Sequence, residues 1–149
     1  MVLFLDLKGD IVITYEQYVG KWDISSDITG NIEFNIRNRL LPIINDLCDY
    51  ISSCEVDFPI NPITKSLISG TSLGGFRPQT CTIGAPKSNH KQGLAVDIYD
   101  PKGEIDAWCM TNKTTLAEFG VWLEHPDATP GWCHMQVVPP RSGNRVFRP

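Results

Sequence analysis

Apolar residues recur at Ile32, Ile36, Leu40, Ile43, Ile44, Leu47 and Ile51. Steps of three and four put them on one helical face, so the pattern predicts a core helix over 31–53. Pro42 lies inside that run, lacks an amide hydrogen and crowds the carbonyl four residues back, which predicts a kink. Beyond it the rhythm changes. Pro59 and Pro62 interrupt 58–64, 66–71 reads as a short strand, and Gly74, Gly75 and Pro78 shape a turn containing Arg77. The stretch 94–99 alternates as a strand does, 104–110 and 114–119 read as short helices parted at Asn112, and 121–123 and 132–138 are further strands.

Nothing in this order has the rhythm of parallel βαβ units. It predicts an α+β fold: a small, mainly antiparallel sheet carrying the candidate ligands, packed against a long N-terminal helix and short helices. A chain of 149 residues fits one domain over 1–149, with no room for a second module.

Composition narrows the partners. Hydrophobic residues make up 42% and charged residues 20%, which suits a core that needs no cross-links. The net charge of -4 argues against nucleic acid, whose phosphates need a basic face; the local basic run of Arg141, Arg145 and Arg148 reads as a solvated C-terminal strand. Five cysteines without a C-x-x-C pair read as reduced, mostly buried thiols. No stretch is long and apolar enough to span a membrane, and Met1 to Leu7 does not read as a signal peptide. The expectation is a protein made in a cytoplasm that reaches any target outside it by another route.

Two of the three histidines lie in unusual settings. In Ser88-Asn89-His90-Lys91-Gln92-Gly93-Leu94-Ala95-Val96-Asp97, a histidine enters a strand that carries an aspartate, and Gly93 lets the chain turn back so that both can converge. Asp97 points opposite to its neighbours Val96 and Ile98. Taken alone, such a pair reads better as a turn residue and a strand-end carboxylate. In the second segment Trp132, His134 and Gln136 share one strand face, and His134 would complete a His/Asp/His set. Three such ligands leave a fourth position free, the arrangement of catalytic zinc. Cys133 falls on the opposite face and reads as core, while Trp132 reads as a wall of the site.

The S-x-H-x6-D run from Ser88 to Asp97, joined to W-x-H at Trp132-Cys133-His134 and preceded by Ile68-Ser69-Gly70 and Phe76-Arg77-Pro78, resembles the zinc D-Ala-D-Ala carboxypeptidase and endolysin family. Its wider kin include lysostaphin-type endopeptidases and the hedgehog signalling domain. The likeness covers about residues 66–149, and the closing Pro-Pro-x-Ser-Gly-x-Arg-Val-Phe resembles the phage-encoded branch. The resemblance implies Zn2+ held by His90, Asp97 and His134, Arg77 near the substrate carbonyl or carboxylate, and Ser88 orienting the peptide. It implies hydrolysis of a peptide bond in bacterial peptidoglycan, as a D,D-carboxypeptidase or an L,D/D,D-endopeptidase, in phage lysis or wall penetration.

One position departs from the family pattern. Many members carry an acid three residues before the second histidine, where this chain has Gly131. Glu124 is the candidate to replace it as general base, brought near His134 by the loop from Asp127 to Gly131, with Asp127 as second choice. His125 stays unassigned. The alternative reading is a virion or tail component, partnered by other virion proteins, that keeps the zinc site without turnover.

Overall fold

A computed structural model describes residues 11–149, so the reading of Met1 to Leu7 lies outside the described residues. Helix α1 (Tyr15–Val19) starts at a reciprocal cap: the Thr14 hydroxyl accepts from the Gln17 amide at 3.1 Å, and the Gln17 side chain accepts from the Thr14 amide at 3.0 Å. Buried Tyr18 donates its hydroxyl to the Ala95 carbonyl at 2.7 Å. A 3₁₀ turn, Gly20–Trp22, follows, and Trp22 donates to the Ser72 carbonyl at 2.8 Å. The long helix is therefore not N-terminal as expected, because the Thr14 cap opens a helix before it.

That long helix runs through 24 residues in three parts: α2 (Gly30–Asn35), a π-helical stretch Ile36–Leu40, and α3 (Leu41–Ser53). The expected disturbance at Pro42 takes the form of a wider turn. The Leu41 amide bonds the Ile36 carbonyl, five residues back, just before the residue that has no amide to donate. Ile36, Leu40, Ile44, Leu47 and Ile51 are fully buried, while Ile43 stays half-buried.

Among the described residues four strands form the sheet: β1 (Ala95–Tyr99), β2 (Trp122–Glu124), β3 (Trp132–Gln136) and β4 (Val146–Phe147), in the order β1-β3-β2-β4. β3 pairs antiparallel with both β1 and β2, whereas β2 and β4 are parallel. The sheet is thus mixed rather than mainly antiparallel. After β3 the chain reverses beyond Pro139 and Pro140 and returns along the far edge of β2, so β4 must run in the direction of β2. Residues 66–71 do not form the expected ladder strand. They track the free edge of β1 through Tyr99 N to Leu67 O (2.7 Å) and Ser69 N to Asp97 O (2.9 Å), until Gly70 turns away.

Alternation divides the sheet into two faces. Val96, Ile98, Leu123, Cys133 and Met135 join the long helix in the core. The same core takes in Ile105 and Cys109 of α4 (Glu104–Thr111) and Leu116 of α5 (Lys113–Phe119). These two helices part at Asn112, as the sequence predicts. All five cysteines are free; Cys48, Cys109 and Cys133 are buried, Cys81 is half-buried and Cys54 is exposed. Among the described residues no helix is long and apolar enough to cross a membrane.

Asp106 is the least comfortable group in this layer. It is buried, its Oδ1 has no hydrogen-bond partner among the described residues, and its Oδ2 is 3.4 Å from the Thr129 hydroxyl. Burial, helped by the Asp100 carboxylate and opposed by Cys133 and Thr129, pushes its pKa from 3.8 up to about 6. A raised carboxylate pKa means that the folded chain holds the proton more tightly than the unfolded one. Asp106 is therefore neutral in its effect at low pH and opposes folding increasingly as pH climbs through that interval. Asp106→Asn should accordingly raise the melting temperature at about pH 8 and leave it nearly unchanged at about pH 4. Thermal melts of both chains at the two pH values check this, and an equal gain at both would contradict it.

Candidate metal centre

His90 sits in a 3₁₀ turn, Asn89–Gln92, whose start is set by Ser88: the serine hydroxyl accepts from the His90 amide at 3.2 Å. Gly93 ends the turn at φ 70° and feeds β1; a Cβ there would lie 2.6 Å from Ile36 Cγ1, so only glycine lets the turn lie against the long helix. Two ligand candidates thus come from the sheet, and His90 comes from the turn before it. Asp97 in β1 stands directly opposite His134 in β3.

Hydrogen bonds around the two imidazoles assign their protons. His90 Nδ1 lies 2.8 Å from the Gly75 carbonyl, which can only accept, so Nδ1 carries the hydrogen and Nε2 a lone pair. That Nε2 is buried and 3.2 Å from Asp97 Oδ1, yet among the described residues it has no hydrogen-bond partner. On the other side the Gln136 amide nitrogen donates to the Val138 carbonyl at 2.9 Å, which turns its Oε1 to His134 Nε2 at 2.9 Å. His134 therefore donates from Nε2 and keeps its lone pair on Nδ1, 2.8 Å from Asp97 Oδ1. Three acceptor atoms face one another, all within 4.8 Å. Such a set repels itself unless a proton or a cation lies between its members, and two imidazole nitrogens with one carboxylate oxygen suit zinc.

The electrostatics agree. Burial drives His90 toward its neutral form against the pull of Asp97. For His134, burial again opposes the charge, but its hydrogen bond and attraction to Asp97, aided by Gln136 and Glu124, win and raise its pKa. Burial would raise the Asp97 pKa, yet the two histidines outweigh it and hold the carboxyl well below the usual carboxylate range.

Arg77 does two things at once. Its Nε donates to the Leu73 carbonyl of its own turn at 2.8 Å, and its guanidinium reaches Asp97 Oδ2 at 3.2 Å. Glu124 Oε1 lies 3.8 Å from His134 Nδ1, at the same cluster. Strand register brings it there, rather than the following loop. The pairs Trp122–Gln136 and Leu123–Met135 place Glu124 next to His134 on the site face. Burial raises the Glu124 pKa; His134 opposes the shift and Asp97 adds to it. Asp127 is exposed and pairs with Arg148 at 3.3 Å, away from the cluster. His125 Nδ1 accepts from the Asp127 amide at 3.1 Å and caps the short turn Pro126–Ala128.

These residues open into a cleft of about 760 Å³ that Arg77, Ser88, Glu124 and Trp132 also line. The sequence reading placed Gln136 on the right face without giving it a task, and it missed Phe147, whose ring meets the His134 ring edge-on at 6.1 Å. Comparison of the chain with protein-family models, with curated proteins and with solved structures finds no match.

Proposed function

We propose that this chain is a zinc-dependent peptidase that hydrolyses a peptide bond in bacterial peptidoglycan, as a D,D-carboxypeptidase or an L,D/D,D-endopeptidase, with His90, Asp97 and His134 holding the metal. The observation that carries the reading is the convergence of three potential ligand atoms beside a further acid, Glu124, all lining one cleft. The S-x-H-x6-D and W-x-H spacing, through the family it resembles, supports a wall peptide as substrate and a phage setting.

When bound, zinc supplies Lewis acidity, polarising a scissile carbonyl and easing removal of a proton from water. The chain's own groups do the rest. Glu124 takes the proton from the attacking water and passes it to the leaving amine; its raised pKa suits both halves of that transfer. The Gly75 carbonyl and Gln136 fix the imidazole tautomers. Arg77 steadies Asp97 and offers a cation to charge developing on the carbonyl oxygen. Ser88 shapes the His90 turn and lines the cleft, where it orients the peptide.

The test is digestion of purified walls and defined muropeptides by the zinc-loaded chain, with products read by mass spectrometry. Cleavage of one type of peptide bond is expected. Glu124→Gln keeps size and hydrogen bonding but cannot accept a proton, so it should retain one zinc per chain and lose about 10²-fold or more in rate. Gly131 stands where the family carries an acid, and it favours a second reading, a virion component with a silent zinc site. That reading holds if the zinc-loaded native chain and Glu124→Gln are equally inactive.

A further inference from the structure

The cleft carries a charge opposite to that of the chain. Against a net charge of -4 for the whole sequence, its lining among the described residues holds four cationic side chains, Arg77, Lys87, Arg141 and Arg148, and two carboxylate side chains, Asp97 and Glu124. Arg77 is engaged with Asp97 at 3.2 Å and Arg148 with Asp127 at 3.3 Å. Lys87 and Arg141 are exposed and have no hydrogen-bond or ion-pair partner among the described residues. They come from separate segments, one just before Ser88 and the other just after Pro140, so a ligand lying in the cleft meets both.

We propose that Lys87 and Arg141 make the cleft selective for acidic peptides, whose free side-chain carboxylates flank the bond presented to Glu124 and the metal triad. This deepens the peptidase reading and rests on it. A continuous polyphosphate chain would feel the same two cations. It would also bring negative charge onto Glu124, whereas a peptide sets a neutral carbonyl there and keeps its carboxylates at the rim. The apolar parts of the lining, Ile83, Ala85, Trp132 and Phe147, fit a peptide in the same way.

The experiment compares two fluorescent peptides of one sequence, side-chain carboxylates free or amidated, by binding to the full zinc-loaded chain carrying Glu124→Gln and by cleavage with the native chain. The free-acid peptide should bind more tightly at low salt. Lys87→Gln and Arg141→Gln, added singly, should each reduce that advantage by about two- to fivefold, and added salt should do the same. Both side chains are exposed, so unchanged melting temperatures are expected and separate recognition from folding. Equal binding of the two peptides, an advantage that survives both substitutions, or displacement of the free-acid peptide by short-chain polyphosphate at lower concentration than by unlabelled acidic peptide overturns the proposal. If the acidic preference holds in binding but neither peptide is cleaved, the peptidase reading fails and the recognition stands; cleavage without preference gives the reverse.

Discussion

Alanine in place of His90 should leave a folded chain that no longer holds a stoichiometric zinc ion. Zinc that binds only the folded state stabilises it by about 4 kcal/mol at a thousandfold excess over its dissociation constant. A chelator should therefore lower the melting temperature of the native chain and leave that of His90→Ala unmoved. Metal analysis after gel filtration, together with melts with and without chelator, checks both statements; one zinc per chain surviving in His90→Ala would remove the ligand set. The effect should grow with pH. The raised pKa of His134 stabilises the metal-free fold below the ordinary histidine value of 6.5, and this support is lost as pH rises through the raised value. Zinc competes with that proton, so the chelator-induced drop should be small in mild acid and large in mild base.

Gly75→Ala should be among the most damaging single methyl groups that can be added to this chain. A Cβ at Gly75 would run into the Tyr18 carbonyl oxygen and stand 2.9 Å from its carbon, both backbone atoms at the end of α1. Rotating a side chain cannot relieve that contact, so the turn must leave the helix. The same turn supports the candidate metal ligands, since the Gly75 carbonyl accepts from His90 Nδ1 at 2.8 Å and the Gly74 carbonyl accepts from the Asp97 amide at 2.7 Å. A loss of about 2–4 kcal/mol in a denaturant titration is expected, with weaker zinc binding in whatever remains folded. Gly30 is the control. It lies at the start of α2 with no described residue's atom within 4 Å of where its Cβ would stand, so Gly30→Ala should be neutral or mildly stabilising. Equal damage at both positions would show that the close approach at Gly75 is not what matters.

What could be read in advance was what depends on local period. The apolar steps from Ile32 to Ile51, the break at Asn112 and the alternation around Asp97 survive in the fold because each is set by neighbours three or four residues, or two residues, away. The opposition of Asp97 and His134 follows from the same alternation once β1 and β3 pair. Features that depend on register or on distant partners were not legible. Glu124 is legible as a candidate, but the loop expected to bring it near His134 is not what does so: it reaches the cluster through the β2–β3 offset, a property of pairing that no run of residues announces. The parallel β4 depends on which edge the chain takes after Pro140. The 66–71 segment has strand-like residues, yet Gly70 limits it to isolated bridges. Gln136 lacked a role because its task is to set the proton of a neighbour.

The π-helical stretch ahead of Pro42 has a consequence for the length of this chain. A π turn holds one residue more than an α turn, so the helix before it is out of phase with the helix after it by about 100°, the rotation of a single helical residue. Ile32 and Ile36 owe their direction to that extra residue: the Ile32 carbonyl and the Ile36 side chain are what a Cβ at Gly93 would strike, at 3.1 and 2.6 Å. Removing one residue from 36–40 would give a more regular helix and swing this pair away from the loop that carries His90. The front of the helix is in effect a splint for the candidate metal site, set at its angle by one supernumerary residue.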